Sequence, residues 1–236
     1  MKDHTIAYIG EELELFREAR RWKNYWGSKL QPYVRGIVGE VGAGLGCSTE
    51  YLLNDAATEW HFIEPDPVMS ALLRSSPPAC LGSRCSVTHT CTLEGLDSQQ
   101  RFDTLIYIDV LEHLESDAGE IDRAFSMLNP GGRILALSPA HPSLYSSFDK
   151  AVGHYRRYTK EQFSLLFQAR GVIEKIGHLD APGTMLSLAN RCLLRRGNPT
   201  LDQIRFWDRW VIPIARVIDP LVAHSFGRSV YCIAYV

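Results

Sequence analysis

The sequence has little of what would remove it from the ordinary globular class. No apolar run approaches the ~20 residues that cross a bilayer, and Met1-Lys2-Asp3-His4-Thr5 leads into no apolar signal segment. A cytoplasmic protein without a spanning segment is the expectation. Neither sign of charge dominates: 25 Lys and Arg stand against 27 Asp and Glu, a net charge of −2. That balance offers no electrostatic case for nucleic acid or an acidic membrane. Repeats and low-complexity linkers are absent, so residues 1–236 read as a single domain, long enough to bury one substantial core. The six cysteines include no C-x-x-C pair, and in a reducing compartment scattered thiols are expected as small buried hydrophobes. Cys80, Cys85 and Cys91 lie near His89, but their spacing matches no standard zinc site. No metal is expected.

What the chain does have is a glycine-rich turn. Gly36 to Thr49 reads G-I-V-G-E-V-G-A-G-L-G-C-S-T. Ile37, Val38 and Val41 suit a strand buried on both faces, and Gly42, Gly44 and Gly46 let the backbone turn tightly against a ligand. Ser48 to Leu53 has helix-start chemistry, whose free N–H groups would face that ligand. The dinucleotide fingerprint G-x-G-x-x-G needs a glycine where this chain has Cys47, which disfavours an NAD-type oxidoreductase. Glu40, at the carboxyl end of a buried strand, is costly unless a cation or donor meets it, as an ammonium-bearing ligand would. Glu64 ends a second strand about 20 residues further on, where a doubly wound fold puts a carboxylate on ribose hydroxyls.

Further along, Thr104 to Ile108 reads as a buried strand with Asp109, Glu112 and His113 gathered at its carboxyl end, where an open α/β sheet keeps its site. If the chain turns helical there, Asp109 and His113 share a face. A metal-binding reading of these three competes, without a second cluster in the sequence to support it. Helix 118–128 stops at a turn, Asn129-Pro130-Gly131-Gly132, before a fifth strand, Arg133 to Leu137. The amino end, Glu11 to Leu30, has the periodicity of a packing helix. The carboxyl part reads as a helix from Lys160 to Ala169, a strand near Val172 to Gly177, a helical region from Leu201 to Ala223 broken at Pro213 and Pro220, and a closing strand, Ser229 to Val236. Trp207, Trp210, Ile214 and Val217 form an apolar stripe read first as core, and alternatively as a flap or a lipid-touching element.

E-V-G-A-G-L-G, F-D-x-x-x-x-x-D-V-L-E-H-L and L-N-P-G-G-R together resemble class I S-adenosylmethionine-dependent methyltransferases. P-A-H-P-x-L-Y and G-H-Y-R-R-Y look like a bacterial small-molecule subset. The resemblance implies a Rossmann-like, doubly wound, seven-stranded sheet, mostly parallel with the last strand antiparallel and helices on both faces. It also implies S-adenosylmethionine as methyl donor, with the demethylated product S-adenosylhomocysteine. Cofactor contacts are then expected from Glu40, Gly42, Ala43, Gly44, Glu64, Pro65, Thr92, Leu93, Ile108, Asp109 and His113, with Thr92 and Leu93 flanking the adenine. Residues 1–30 would act as a lid or packing helix.

The polar, aromatic connection Ser138 to Tyr158 leaves the carboxyl end of the fifth strand, a place more often functional than idle. With about 180–225 it is expected on the acceptor side. His141, Tyr145, His154 and Tyr155 are the catalytic candidates, because a neutral acceptor must lose a proton. Tyr25, Trp26, Asp149 and Arg156 are the acceptor-binding candidates. The expected reaction is methyl transfer to a small molecule, aromatic or heterocyclic by the look of the loop, as in natural-product or secondary metabolism. A lipid-linked or glycan precursor and a non-catalytic nucleotide-binding module stand as alternatives. Neither nucleic acid nor a particular oligomeric state is implied.

Overall fold

The computed structural model describes residues 18–193 and 200–236. Seven strands form one sheet: β1 (Gly36–Val41), β2 (Ala57–Ile63), β3 (Cys85–His89), β4 (Phe102–Ile108), β5 (Leu128–Pro139), β6 (Val172–Leu179) and β7 (Ser229–Tyr235), in spatial order β3-β2-β1-β4-β5-β7-β6. β7 runs antiparallel to both β5 and β6, and the other neighbours pair in parallel. The expected Rossmann-like architecture is therefore present. Strand order reverses between β1 and β4, so the loops after these strands diverge and leave a crevice.

Alternation along the strands feeds two cores. On one face Val38, Phe62, Ile106 and Leu135 pack with Trp22, Tyr25 and Trp26 of the helix Arg20–Leu30 and with Ile204, Trp207 and Ile212 of the carboxyl-terminal helices. On the other, Leu105, Tyr107, Ile134 and Cys232 pack with Ile121 and Phe125 of the helix Asp117–Ser126 and with Phe163 and Phe167 of the helix Lys160–Gln168. No helix among the described residues is long and apolar enough to cross a membrane.

Several local expectations are corrected. The expected amino-terminal helix is described from Arg20 to Leu30, and residues 11–17 lie outside the described residues. The helix after the glycine loop spans only Thr49–Leu52, and Ser48 makes no side-chain cap. Asn129 to Gly132 does not precede β5 but is folded into it: pairing with β4 runs Phe102 to Leu128 and then Thr104 to Arg133, with Gly131 at φ 74°. Asp109 and His113 do not share a helix face, because the chain turns at Asp109 (φ 54°) into a 3₁₀ turn, Leu111–His113. Of the described cysteines only Cys232 is buried; Cys80 and Cys85 are exposed.

The carboxyl-terminal half departs furthest. Helix Ala181–Leu193 was hidden by Pro182 and Gly183, yet proline suits a first helical turn, and Asp180 caps it by accepting from Gly183 N at 2.9 Å. Pro213 does not break the next rod. Helix Leu201–Phe206 runs through a π turn, Trp207–Val211, into helix Ile212–Leu221. The Arg209 carbonyl, whose α-helical donor would be the N–H that Pro213 lacks, accepts from Arg21 Nη1 at 2.9 Å. The wide turn also shifts the helix phase. Trp207 stays buried, while Trp210, Ile214 and Val217 turn outward, so the stripe read as core is not core beyond Trp207.

Candidate active site

A cleft of about 550 Å³ opens at the carboxyl ends of β1, β2 and β4, a size that suits a nucleotide-like cofactor and part of a second ligand. Its first half comes from the sheet: Gly42, Ala43 and Gly44 after β1, Glu64 and Pro65 after β2, Ile108, Asp109 and His113 after β4. Gly42 and Gly44 have φ of 62° and 56°, a region that favours glycine. A Cβ on Gly42 would also meet Val110 Cγ2 at 2.7 Å. The loop is a bare-backbone cradle.

Glu64 secures that cradle. Its Oε2 accepts from Gly44 N and its Oε1 from Asp66 N, both at 2.8 Å. Each carboxylate oxygen keeps a second lone pair, so a pair of ribose hydroxyls could still donate to it. Burial raises its pKa, with the two backbone N–H groups pulling the other way. Glu40 does not line the cleft. It is buried beneath the loop, where Oε2 accepts from Thr49 Oγ1 at 2.8 Å and Trp60 Nε1 at 2.9 Å, and burial pushes its carboxyl up to about 7. Thr92 and Leu93 also lie off the cleft, Leu93 inside the second core. Asp109 faces the cleft and is exposed there. Packing on its other sides pushes its carboxyl to about 6 against the charges of Arg228 and Arg157; water in an open cleft limits that rise.

The second half of the cleft gathers ionisable side chains. Asp149 is fully buried and accepts from His154 Nδ1 at 3.0 Å, from Arg157 Nε at 2.6 Å and Nη2 at 3.1 Å, and from Ser146 N and Oγ at 2.8 Å each. Burial alone would raise its pKa, but the bonds from His154 and Arg157 outweigh it and hold the carboxyl below its usual range. With Asp149 ionised, the network assigns the proton of neutral His154 to Nδ1 and leaves Nε2 as an acceptor. Tyr145 Oη donates to the His154 carbonyl at 2.6 Å, fixing the backbone of the same residue. The His113 ring stands edge-on to His154, centroids 4.6 Å apart, and burial with the neighbouring histidine lowers its pKa to about 4. Glu112, His113 and His154 each place a ligand-type atom within 4.8 Å of the others. That set has the composition to hold a divalent cation.

Tyr155 is exposed on the cleft wall, and Trp26 lines it from the amino-terminal helix. Tyr25 does not: its hydroxyl donates to Asp219 Oδ2 at 2.9 Å inside the fold. Arg156 pairs with Asp117 at 2.9 Å, away from the cleft lining. His141, at φ 62°, stacks on His178 with centroids 5.3 Å apart and also lies outside the lining.

Lys23, Phe148, Asp180, Trp207 and Arg228 line the cleft without having been singled out for it. Arg228 holds its guanidinium 4.9 Å over Trp207, and the Trp207 indole donates to Asp180 Oδ2 at 2.8 Å. One signal for Arg228 was available. It directly precedes β7, and in a parallel sheet with one reversed strand the amino end of that strand lies among the carboxyl ends of the others.

A family model described as a methyltransferase domain matches residues 8–172. No protein of curated function matches the chain. Among solved structures, a chain of the complex between the Haloferax volcanii Trm112 methyltransferase activator and its methyltransferase is similar at 12% identity and TM-score 0.64, covering 100% of this chain and 98% of that one. The N-methyltransferase NodS from Bradyrhizobium japonicum, solved with S-adenosylhomocysteine, is similar at 12% identity and TM-score 0.57, covering 94% and 96%. Phosphoethanolamine N-methyltransferase 2 from Haemonchus contortus, solved with S-adenosylmethionine, is similar at 14% identity and TM-score 0.60, covering 95% and 57%. These likenesses concern the fold; the match over residues 8–172 identifies the chain as a member of the methyltransferase-domain family.

Proposed function

We propose that the chain methylates a small-molecule acceptor, planar and aromatic or heterocyclic, with His154 accepting the proton that a neutral acceptor loses. S-adenosylmethionine is the methyl donor, supplying an electrophilic methyl group on a sulfonium. Gly42, Ala43 and Gly44 would hold its methionine end and Glu64 its ribose. The observation that carries the reading is the Asp149–His154 pair: an ionised, buried carboxylate orients the imidazole, and His154 lines the cleft. Trp26, Phe148, Tyr155 and Trp207 line the same cleft and favour a flat acceptor. Most of the barrier reduction then comes from alignment, worth roughly 7–11 kcal/mol.

Calorimetric titration tests the cofactor half. S-adenosylhomocysteine should bind and NAD should not, and Gly44→Val should abolish the binding, because a branched side chain at φ 56° both strains the turn and fills the cradle. Preferential NAD binding would overturn the reading. For the acceptor half, His154→Ala should lower kcat by about 100-fold or more while cofactor affinity stays within about twofold. The nearness of Glu112, His113 and His154 favours one second reading, in which a divalent cation there acidifies an acceptor hydroxyl. Dialysis against a chelator separates the two. Turnover that survives belongs to His154; turnover lost and restored by Mg²⁺ or Mn²⁺ belongs to the cation.

A further inference from the structure

The rod Leu201–Leu221 is apolar on two opposite faces. Ile204, Trp207, Ile212 and Ala215 are buried against the core. On the other side Phe206, Trp210, Ile214, Val217 and Leu221 are 56, 56, 51, 64 and 80% exposed. Steps of four, four, three and four residues keep these five in one stripe. Met185, 61% exposed, stands on the neighbouring helix Ala181–Leu193, which packs beside the rod. A helix apolar all round is covered on both sides, and a contiguous exposed apolar strip marks an interaction face.

Charge decides what covers it. The overall charge of −2 conceals a local basic border. On and beside the rod, Arg21, Arg205, Arg209 and Arg216 reach solvent, with Glu18, which pairs with Arg205 at 3.5 Å, and Asp202 the exposed acids among them. Asp208 and Asp219 are turned inward, Asp208 onto Trp22 N at 2.8 Å and Asp219 onto Tyr25 Oη at 2.9 Å. Arg209 lies 5.3 Å from the Trp210 ring centroid, a cation beside an amphipathic ring, as at lipid headgroup level. We propose that this stripe is a membrane-docking face, which lays the rod into the surface of a bilayer carrying anionic lipid. A second copy of the chain fits less well, because two-fold pairing through the stripe gathers two copies of the same basic border at one interface. The rod also puts Trp207 into the cleft wall. On the methyltransferase reading above, docking brings the cleft within reach of an acceptor carried on a lipid.

Vesicle co-sedimentation tests docking separately from that reading. The full chain should sediment with vesicles of phosphatidylcholine and phosphatidylglycerol roughly tenfold better than with phosphatidylcholine alone, and added salt should erode the difference. The double variant Trp210→Glu, Val217→Glu should lose roughly tenfold in vesicle binding, because a charge in the apolar stripe resists insertion. Its side chains face solvent, so S-adenosylhomocysteine titration and circular dichroism should match the parent. Arg205→Gln with Arg209→Gln should remove the preference for anionic lipid and keep the weaker apolar binding. Failure to sediment with mixed vesicles, or a double variant that binds as the parent does, overturns the proposal. So does a dimer in light scattering that the double variant turns into a monomer, since the stripe would then be an interface between copies. Failure of S-adenosylhomocysteine to bind would strike the methyltransferase reading and leave the docking result standing.

Discussion

Glu40 sits at the end of a strand and beneath the loop that the strand feeds, so it braces the cradle from inside the protein. Burial raises its pKa from 4.5 to about 7, against the bonds from Thr49 and Trp60. The folded state thus binds a proton more tightly than the unfolded chain does. Its favourable contribution is complete below about pH 4.5 and is lost as pH rises through about 7, a swing on the order of 3 kcal/mol. Glu40→Gln keeps an acceptor oxygen for Thr49 and Trp60 but cannot ionise. Denaturant unfolding of the parent and of this variant, followed from about pH 4 to about pH 8 across the window of about 4.5 to 7, should diverge as pH rises, the variant becoming relatively more stable. Parallel pH profiles would show that the carboxyl titrates normally. The sequence made Glu40 visible as a costly acid but could not say that Thr49 and Trp60 meet it, since Trp60 arrives from the next strand. Asp149 and His154, five residues apart, were both visible, yet that they bond to each other was not. Arg228 and Asp180 were marked only by position, one directly before β7 and the other capping the helix Ala181–Leu193.

The elements around Asp219 make a three-way clip. Its Oδ2 accepts from Tyr25 Oη of the amino-terminal helix at 2.9 Å and from Asp180 N at 2.6 Å, and its Oδ1 accepts from Ala181 N at 2.9 Å. One buried carboxylate thus joins the first helix, the turn after β6 and the last rod. Asp219→Ala would leave three buried donors without partners, each costing about 1–3 kcal/mol. A loss of about 4 kcal/mol is expected in chemical denaturation, with Asp219→Asn recovering part of it. A loss under about 1 kcal/mol would mean that water reaches these donors. Strands and alternating helices were legible from β1 to β5 because buried parallel strands are short apolar runs and their turns carry Gly, Pro and Asn. Beyond β6 the helical region and the closing strand β7 were legible, but the helix Ala181–Leu193 and the unbroken rod Leu201–Leu221 were not. Pro182 and Pro213 look like breakers in sequence, and they are absorbed by a first-turn position and by a π turn whose open carbonyl meets Arg21. That compensation lies 188 positions away in the chain, beyond any local pattern.

At the scale of the molecule the cleft has two walls of different origin. One is built by loops that leave adjacent parallel strands, so its residues are fixed by the sheet: Gly42 to Gly44, Glu64 and Asp109. The other, Phe148 to Arg157 with Asp180, Trp207 and Arg228, is assembled from segments held by side-chain networks around Asp149 and Asp219. The first wall was legible because a glycine loop and strand-end acids are local signals; the second depends on contacts between distant segments. This division predicts how the protein answers its cofactor. A ligand that binds only the folded chain, at about 100 times its Kd, adds about 2.7 kcal/mol, which for a chain of this size raises Tm by roughly 5–10 °C. S-adenosylhomocysteine should do this while slowing amide hydrogen exchange in the loops after β1, β2 and β4. Exchange across Phe148 to Arg157 should change little if that wall serves the acceptor, as proposed above. If the cofactor product alone protected both walls equally, the second wall would be a lid that closes on the cofactor, and His154 would be held in place by cofactor binding rather than standing ready for the acceptor. In that case His154→Ala should weaken cofactor binding as well as turnover, whereas a separate acceptor wall leaves the two effects uncoupled.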